Sequence, residues 1–77
     1  GEHEVIEAEI IETSELINKE LKNSDLPDDV RIGAVLRDSE VIIPRSNFVF
    51  RKEDKVVFLA KKESISVVEN IFRISSI

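Results

Sequence analysis

Apolar and acidic residues alternate near the start of the chain, in the segment EVIEAEIIE (residues 4–12). The apolar side holds Ile6, Ala8 and Ile10, and the acidic side holds Glu7 and Glu9. Alternation with a period of two predicts a β-strand that has one face exposed to water.

The spacing of apolar residues changes to a helical period over residues 13–25. Thr13 or Ser14 can cap a helix by accepting a backbone hydrogen bond. The apolar stripe of this segment holds Leu16, Ile17 and Leu21. The pattern therefore predicts a helix that ends at residues 23–25 and is followed by a turn at residues 27–29.

Three short strands are predicted in the middle of the chain, in residues 30–37, 40–44 and 47–50. In the first of them, alternation places Val30, Ile32, Ala34 and Leu36 on one face, and Arg31, Gly33, Val35 and Arg37 on the other. A hairpin turn with Asp38 and Ser39 at its centre connects the first strand to the second. Pro44 lacks an amide donor, so we expect it at the end or edge of a strand.

The segment KVVFLA (residues 55–60) is an almost continuous apolar run, and a polar turn at residues 51–54 precedes it. Such a run predicts a central strand that is buried on both faces. Glu63 or Ser64 is then expected to cap a final helix. The apolar positions of that helix are Ile65, Val68 and Phe72, with Val67 and Ile71 beside them.

The element order is therefore β-α-β-β-β-β-α, which predicts an α+β fold. Two helices on one face of a small mixed or antiparallel sheet is the natural packing for this order. The 77 residues form one domain at most, with a marginal core of their own. The chain begins with Gly1 rather than methionine, and we expect residues 1–77 to be a single domain of a larger protein.

Composition and charge exclude several classes of function. The net charge is −5, with 16 acidic against 11 basic residues, and the basic residues are scattered among acidic ones. Nucleic-acid binding normally requires a basic face, so we do not expect it. The chain has no cysteine, which excludes disulfides and thiolate chemistry. No apolar run approaches the roughly 20 residues of a membrane span.

Candidate catalytic and metal-binding residues are few. The single histidine, His3, stands near the chain start beside glutamates and is expected to be solvated. Asp25, Asp28 and Asp29 could bind a hard cation, but they lack the spacing and the glycine of a calcium loop. A turn with carboxylates at its ends is the commoner arrangement. The sequence thus predicts no catalytic residue and no metal site.

Glu7 and Glu9 lie on one strand face and could act as paired carboxylates, although a solvated sheet face is far commoner. The only glycines, Gly1 and Gly33, cannot form a phosphate-binding loop. Gly33 lies in the middle of a predicted strand, where glycine permits close approach of another backbone or a ligand. A β-bulge or a crowded packing position would explain it equally well.

An ordered set of motifs resembles a known family. Leu26-Pro27 is followed by the strand IGAV with Gly33, then Arg37, a hairpin, and Ile43-Pro44. Asp54 then precedes the apolar strand, and the ending VENIF (residues 68–72) also matches. This set resembles the RCK C-terminal domain, also called the TrkA-C domain, of bacterial and archaeal potassium-transport regulators. The resemblance spans nearly the whole chain.

The resemblance implies a regulatory role and no enzymatic reaction. In this family the domain follows a Rossmann-type domain, which would bind NAD or ATP, so no cofactor is expected in this chain. The domain usually forms a homodimer, and the assembly lies in the cytoplasm, on the inner face of the membrane, beneath a potassium-transporting subunit. The same domain type also occurs in regulators of other ion and solute transporters.

The family also suggests site residues. Pro27, Gly33, Arg37, Pro44 and Asp54 are motif residues with structural roles. Arg31, Ile32 and Gly33 occupy the positions at which some relatives bind cyclic di-AMP between two copies. Here Asp25 stands near a position where those relatives carry arginine, and Arg31-Ile32 replaces an asparagine-isoleucine pair. We therefore expect no tight binding of cyclic di-AMP, although Arg31 can contact an anion.

Three hypotheses follow from the sequence. The chain is a dimerising regulatory domain that binds an effector, a purely structural assembly domain without a ligand, or an enzyme that depends on Glu7 and Glu9. The first two both predict a dimer, and they differ in whether a small molecule stabilises it.

Overall fold

The computed structural model describes residues 3–72. Four strands form one sheet: β1 (His3–Glu9), β2 (Arg31–Arg37), β3 (Glu40–Ile42) and β4 (Lys55–Lys61). One α-helix, α1 (Ile65–Phe72), follows β4, and short 3₁₀ turns lie at Leu21–Asn23 and Lys62–Ser64. The α+β class predicted from the sequence is confirmed.

The sheet has the strand order β1-β4-β2-β3, and every neighbouring pair is antiparallel. The run at residues 55–60 is therefore central, as predicted. The first strand pairs with β4 along its whole length, from His3 opposite Lys61 to Glu9 opposite Lys55. It ends before the predicted limit at residue 12, because Ile10 exchanges backbone hydrogen bonds with Glu53 and Asp54.

The core lies on one side of the sheet. Residues opposite one another in antiparallel strands point to the same face, and β4 contributes Val56, Phe58 and Ala60 to the buried face. The helix α1 packs on this face, where the ring of Phe72 stacks on that of Phe58 with centroids 5.2 Å apart. The rest of the core is Ala8, Ile10, Leu16, Val30, Val35, Phe50, Val68 and Ile71.

The other face of β4 corrects a prediction. The apolar run at residues 55–60 predicts burial on both faces, yet Leu59 is 38% exposed and Val57 is only half-buried. The single α-helix lies on the opposite side of the sheet, so no element within residues 3–72 covers these side chains.

A β-bulge at Gly33 also corrects the predicted faces of β2. Ile32 lies opposite Phe58 and Ala34 lies opposite Val57, so the register shifts between them. The extra residue reverses the alternation, and Ile32 and Val35 share the core face while Ala34 points away from it. The bulge, one of the explanations considered for a glycine in this strand, is confirmed.

The helix predicted over residues 13–25 does not form, apart from the 3₁₀ turn at Leu21–Asn23. Asn18 has a positive φ of 70°, which interrupts a right-handed helix. The amides of Asn18 and Leu21 donate to the carbonyls of Phe50 and Phe48, at 2.9 Å and 2.8 Å. Tertiary hydrogen bonds thus replace the local bonds of a helix, while Leu16 is still fully buried.

The same contacts explain the missing strand at residues 47–50. This segment pairs with the chain near Glu20 through one isolated bridge at Val49, and it does not join the main sheet. The strand predicted over residues 40–44 is shortened to Glu40–Ile42, and Pro44 lies beyond its end. Asp38 and Ser39, with φ of 49° and 69°, form the predicted hairpin turn.

Candidate functional site

An open cleft lies where the chain enters β2. Its volume is about 360 Å³, and it is lined by Leu21, Ser24, Leu26, Pro27, Val30, Arg31 and Ile32. The turn before β2 forms one wall, since the amide of Val30 donates to the carbonyl of Pro27 at 3.0 Å. Polar and apolar groups line the cleft in equal measure, with one cation at its rim, which suits a small anionic molecule that has an apolar part.

Arg31 provides the cation of this cleft. Its Nη1 donates to the backbone carbonyls of Asp28 and Val30, the latter at 3.1 Å, which fixes the guanidinium against the turn. Arginine has five N–H donors, and both of these hydrogen bonds come from Nη1. Nε and Nη2 can therefore still donate to an anion.

The three ligand residues predicted from the sequence, Arg31, Ile32 and Gly33, do not all line the cleft. Arg31 and Ile32 both line the cleft, but Gly33 does not, and it lies at the register shift between Ile32 and Ala34. The structure therefore assigns two of the three residues to one cleft.

The motif residues Arg37 and Asp54 form an ion pair in which the carboxylate is buried and the guanidinium is partly exposed. Nε and Nη2 of Arg37 donate to the two carboxylate oxygens of Asp54 at 2.8 Å and 2.7 Å, and Asp54 is 2% exposed. The hydrogen bonds to Asp54 raise the pKa of Arg37. Arg37 also donates to the carbonyl of Val49 and lies 4.9 Å from the ring centre of Phe48. This pair joins β2 to the segment before β4.

Asp29 has a structural role that the sequence did not indicate. Its carboxylate accepts the backbone N–H of Lys61 at 3.0 Å and the hydroxyl of Ser64 at 2.8 Å. These two hydrogen bonds, the one from Lys61 first, lower the pKa of Asp29. Ser64, predicted as a helix cap, instead connects the start of α1 to the turn before β2.

The remaining acidic candidates are dispersed. Asp25 is exposed and Asp29 is engaged with Lys61 and Ser64, so the three aspartates of residues 25–29 do not converge. Across residues 3–72, no group of three histidine, cysteine or acidic side chains could hold a metal ion. Glu7 and Glu9 both point away from the core, opposite Val57 and Lys55.

The side of the sheet away from the core is called the open face below. Its apolar residues are Val5, Ala34, Leu36, Val41, Val57 and Leu59. They form a continuous strip, since Val5 lies opposite Leu59, Ala34 opposite Val57, and Leu36 opposite Val41. Val5 and Val41 are 74% and 68% exposed, so the open face is an apolar surface without a partner inside the described chain.

A cleft with one cation, an uncovered apolar sheet face and dispersed carboxylates define a small binding or assembly domain. The model of the TrkA-C domain matches residues 5–73. The chain therefore belongs to the TrkA-C domain family, as the motifs at Leu26-Pro27, Gly33, Arg37 and Asp54 indicated.

The chain is similar to TrkA proteins from a bacterium and from an archaeon. The Trk system potassium uptake protein TrkA of Azorhizobium caulinodans is 44% identical over 75 residues, which is 97% of this chain and 16% of that protein. A TrkA homolog of Archaeoglobus fulgidus is 38% identical over 64 residues, which is 83% of this chain and 15% of that protein. The chain thus spans about one sixth of these relatives.

Two solved structures have a similar fold. An RCK domain with cda gives a TM-score of 0.78 at 19% identity, covering 88% of this chain and 96% of that one. The RCK_C domain dimer of Streptococcus agalactiae BusR in complex with c-di-AMP gives 0.77 at 18% identity, covering 90% and 95%. At these identities the likeness establishes the fold alone. None of the helices within residues 3–72 is long and apolar enough to cross a membrane.

Proposed function

We propose that the chain is the regulatory and dimerisation domain of a Trk-type potassium uptake protein. One observation carries this proposal: the TrkA-C match extends over residues 5–73, and a potassium uptake protein is 44% identical over almost the whole chain. The longer protein acts in the cytoplasm at the inner face of the membrane. It works with a potassium-transporting membrane subunit, and the domain itself has no catalytic role.

The domain would act by changing how two copies are oriented. In a symmetric dimer the same surface of each copy meets its counterpart. A ligand shifts the balance between two orientations only if it binds them with different affinity. A tenfold preference corresponds to about 1.4 kcal/mol for each site, a small but usable bias.

The effector site proposed here is the cleft that Arg31 and Ile32 line. Its mixed polar and apolar wall with one cation supports binding of a small anion with an apolar part. Asp25 stands between two residues that line the cleft, Ser24 and Leu26, and its carboxylate would repel a phosphodiester. We therefore expect cyclic di-AMP, which the BusR domain binds, to bind this chain weakly. NAD or ATP would bind to a Rossmann-type domain elsewhere in the longer protein.

A purely structural assembly domain is the second candidate. It is favoured by the open face, because an uncovered apolar surface supports self-association without any ligand. Regulation of another cation or solute transporter is a variant of the first proposal, and it requires the same two properties of the domain.

Thermal unfolding tests the sensing role. The midpoint would be measured at several protein concentrations with cyclic dinucleotides, adenine nucleotides and divalent cations. A specific ligand stabilises the folded domain by about 2.7 kcal/mol at a hundredfold excess over its dissociation constant. We expect a shift with one anionic ligand, and we expect that shift to be lost in Arg31→Gln.

Arg45→Gln is the matched control, since Arg45 is exposed and lies outside the cleft. A midpoint that rises with protein concentration but with no ligand would support the assembly domain instead. A midpoint that responds to neither would contradict both candidates.

A further inference from the structure

We propose that Ser24 is a specificity-determining residue of the cleft at the start of β2, and that this cleft binds a monocarboxylate with an apolar body and one neutral hydrogen-bonding group. The inference rests on the proposed function, in which the cleft holds an anionic effector. It names the chemical class of that effector and the side chain that selects it. Arg31 binds the carboxylate, and the hydroxyl of Ser24 binds the neutral group.

The hydroxyl of Ser24 has no hydrogen-bond partner within the described chain, although the residue is only 6% exposed. Two other polar residues are equally buried, and both have bonded side chains. The hydroxyl of Ser14 donates to the carbonyl of Ile71 at 2.8 Å, and the carboxylate of Asp54 binds Arg37. Ser24 is therefore the exception among the buried polar side chains of residues 3–72.

The unbonded hydroxyl opens onto the cleft. Within residues 3–72, every side-chain nitrogen or oxygen that is fully enclosed has a hydrogen-bond partner. The Ser24 hydroxyl has none, so it keeps a small contact with the surface, and Ser24 belongs to the wall of the cleft. A hydroxyl that leaves water without gaining a partner is costly. A ligand that bonds this hydroxyl avoids the cost, whereas a purely apolar ligand would bring it about.

The backbone holds Ser24 in a fixed place. Ser24 ends the 3₁₀ turn at Leu21–Asn23, with φ of −78° and ψ of −13°, and its amide donates to the carbonyl of Leu21 at 3.1 Å. The next residue, Asp25, has a positive φ of 56°, so the chain changes direction directly after Ser24. The hydroxyl is thus attached to a hydrogen-bonded turn, and the ligand meets it in a preset position.

The two polar side chains of the proposed site come from different elements. Ser24 ends the 3₁₀ turn, whereas Arg31 begins β2. The chain between them lines the cleft with the apolar residues Leu26, Pro27 and Val30. A ligand that spans the cleft meets a cation at one end, apolar side chains along its body and a hydroxyl at the other end. The volume of about 360 Å³ lies near the lower limit for small-molecule pockets.

The guanidinium of Arg31 is suited to a carboxylate. Both of its hydrogen bonds to the turn come from Nη1, which leaves Nε and Nη2 to donate to a ligand. Arg37 uses the same two nitrogens to bind the two carboxylate oxygens of Asp54, at 2.8 Å and 2.7 Å. Paired donation of this kind matches the planar geometry of a carboxylate. The ion pair elsewhere in the chain therefore shows the binding mode that we expect at Arg31.

The charges around the cleft favour a single negative charge on the ligand. Arg31 is the only ionisable residue among those that line the cleft. Asp25 and Asp28, which are both exposed, lie in the chain segment that forms it, and the net charge of the chain is −5. A second negative charge on the ligand would meet these carboxylates and no further cation of the lining. Phosphate monoesters carry nearly two charges at neutral pH, so they are disfavoured.

Titration of the isotopically labelled chain, followed by nuclear magnetic resonance, tests the assignment. It reports both the dissociation constant and the residues that contact the probe. The probe is para-hydroxyphenylacetate, a monocarboxylate with an aromatic body and a hydroxyl at its far end. We expect saturable binding in the millimolar range, with the largest shifts at the amides of residues 24–32. Arg31→Gln should raise the dissociation constant by at least about tenfold.

Two probes and two proteins isolate the contribution of Ser24. Phenylacetate lacks the hydroxyl of the first probe, and Ser24→Ala lacks the hydroxyl of the protein. The wild type should bind para-hydroxyphenylacetate about five times more tightly than phenylacetate, and Ser24→Ala should bind both with the same affinity. The matched control is Ser46→Ala, because Ser46 is exposed and lies outside the cleft, and it should keep the preference of the wild type.

Urea unfolding separates ligand selection from a structural role of Ser24. Because its hydroxyl has no partner in the described chain, Ser24→Ala should leave the unfolding midpoint unchanged or raise it. A clear drop in the midpoint would mean that the hydroxyl stabilises the fold, and it would overturn the assignment of Ser24 to the ligand.

Two analogues of the first probe test the charge of the ligand. Para-hydroxyphenylacetamide is neutral, and para-hydroxyphenyl phosphate carries nearly two charges at neutral pH. Both should bind at least about tenfold more weakly than para-hydroxyphenylacetate. Equal or tighter binding of the phosphate would overturn the monocarboxylate class and leave the anionic effector of the proposed function in place. Equal binding of the amide would overturn the role given to the charge of Arg31.

The remaining outcomes distinguish this inference from the proposed function. Binding that Arg31→Gln weakens and Ser24→Ala leaves unchanged would overturn the role of Ser24, while the cleft stands as the sensing site. No saturable binding of any probe at tens of millimolar would overturn the ligand class. The unfolding measurements with nucleotides and divalent cations do not use these probes, so they would still decide the sensing role.

Discussion

β4 presents two different faces, although alternate residues along it are equally apolar in sequence. Val56, Phe58 and Ala60 are buried under α1, whereas Val57 and Leu59 lie on the open face. The first set is tied to folding of this chain alone. The second set is not covered by any element of the described chain, so its apolar character points to assembly.

The comparison shows that one strand can contribute to folding through one face and to association through the other. Burying an apolar side chain on folding contributes about 1.5–3 kcal/mol, and this contribution is already realised on the core face. On the open face the same contribution is realised only when a second surface covers it. Variants on the two faces should therefore separate stability from association.

The largest expected difference in stability between the two faces is that between the variants Phe58→Ala and Leu59→Ala. Phe58 is 1% exposed and stacks on Phe72, so its truncation should lower the free energy of unfolding by about 3–5 kcal/mol. Leu59→Ala should cost about 1 kcal/mol or less. Urea unfolding of both variants measures the difference, with Phe58→Leu as a milder change if Phe58→Ala does not fold. Similar losses would mean that the two faces are not distinct.

The next largest loss of stability is expected when the ion pair between Arg37 and Asp54 is broken. Arg37→Met would leave the buried carboxylate of Asp54 without its cation, which should cost about 3 kcal/mol. Chemical unfolding measures this loss. Arg45→Met is the control, because Arg45 is exposed, and its effect should stay within about 0.5 kcal/mol. Comparable effects of the two changes would contradict the role of the pair.

A smaller, pH-dependent effect is expected from Asp29. The hydrogen bonds from Lys61 and Ser64 hold its pKa below the ordinary value of an aspartate. Because the folded pKa is the lower one, the ionised carboxylate stabilises the fold above the unfolded pKa of about 3.9. That contribution is lost as the pH falls through the folded pKa.

Asp29→Asn should therefore flatten the acid side of the stability profile, measured as the unfolding midpoint between neutral pH and about pH 2. The exposed Asp25 gives the control, and Asp25→Asn should leave the profile as steep as in the wild type. A profile equally steep in Asp29→Asn would show that these hydrogen bonds are not coupled to folding.

The smallest change in stability is expected at Gly33. A new Cβ there meets the Val57 carbonyl at an ordinary distance, so Gly33→Ala should change the free energy of unfolding by about 0.5 kcal/mol or less. Gly33→Val should weaken the proposed dimer, because it adds a branched side chain beside Ala34, which lies on the open face. Sizing chromatography with unfolding on the same sample measures both quantities. An unchanged dimer would remove Gly33 from the interface.

Much of the fold could be predicted from periodicity. The first strand, the hairpin at Asp38-Ser39 and the central position of the strand at residues 55–60 each depend on patterns close in sequence, and each was confirmed. The length of the first strand and the burial of both faces at residues 55–60 were not. The final helix was confirmed for the same reason, since its buried positions recur every three or four residues.

The parts that could not be predicted depend on distant partners. Residues 13–25 have a helical pattern, but three of their amides donate to carbonyls of residues 46–50, which no local signal can reveal. The faces of β2 depend on a bulge opposite Val57. At the candidate site, the resemblance to the family was enough to select Arg31 and Ile32. The role of Asp29 could not be predicted, because it depends on hydrogen bonds from Lys61 and Ser64, which are distant in sequence.

The strand order has a consequence for the time course of folding. β1 comes first in the chain but pairs with β4, which comes last among the strands, whereas β2 and β3 are joined by a two-residue turn. Closing a long loop costs more entropy than closing a hairpin, so the β2–β3 hairpin is expected to form early and β1 to dock late. On the ribosome, the apolar segment VIEAEII must wait until almost the entire domain has been synthesised. During that interval its apolar residues are open to aggregation and to capture by chaperones.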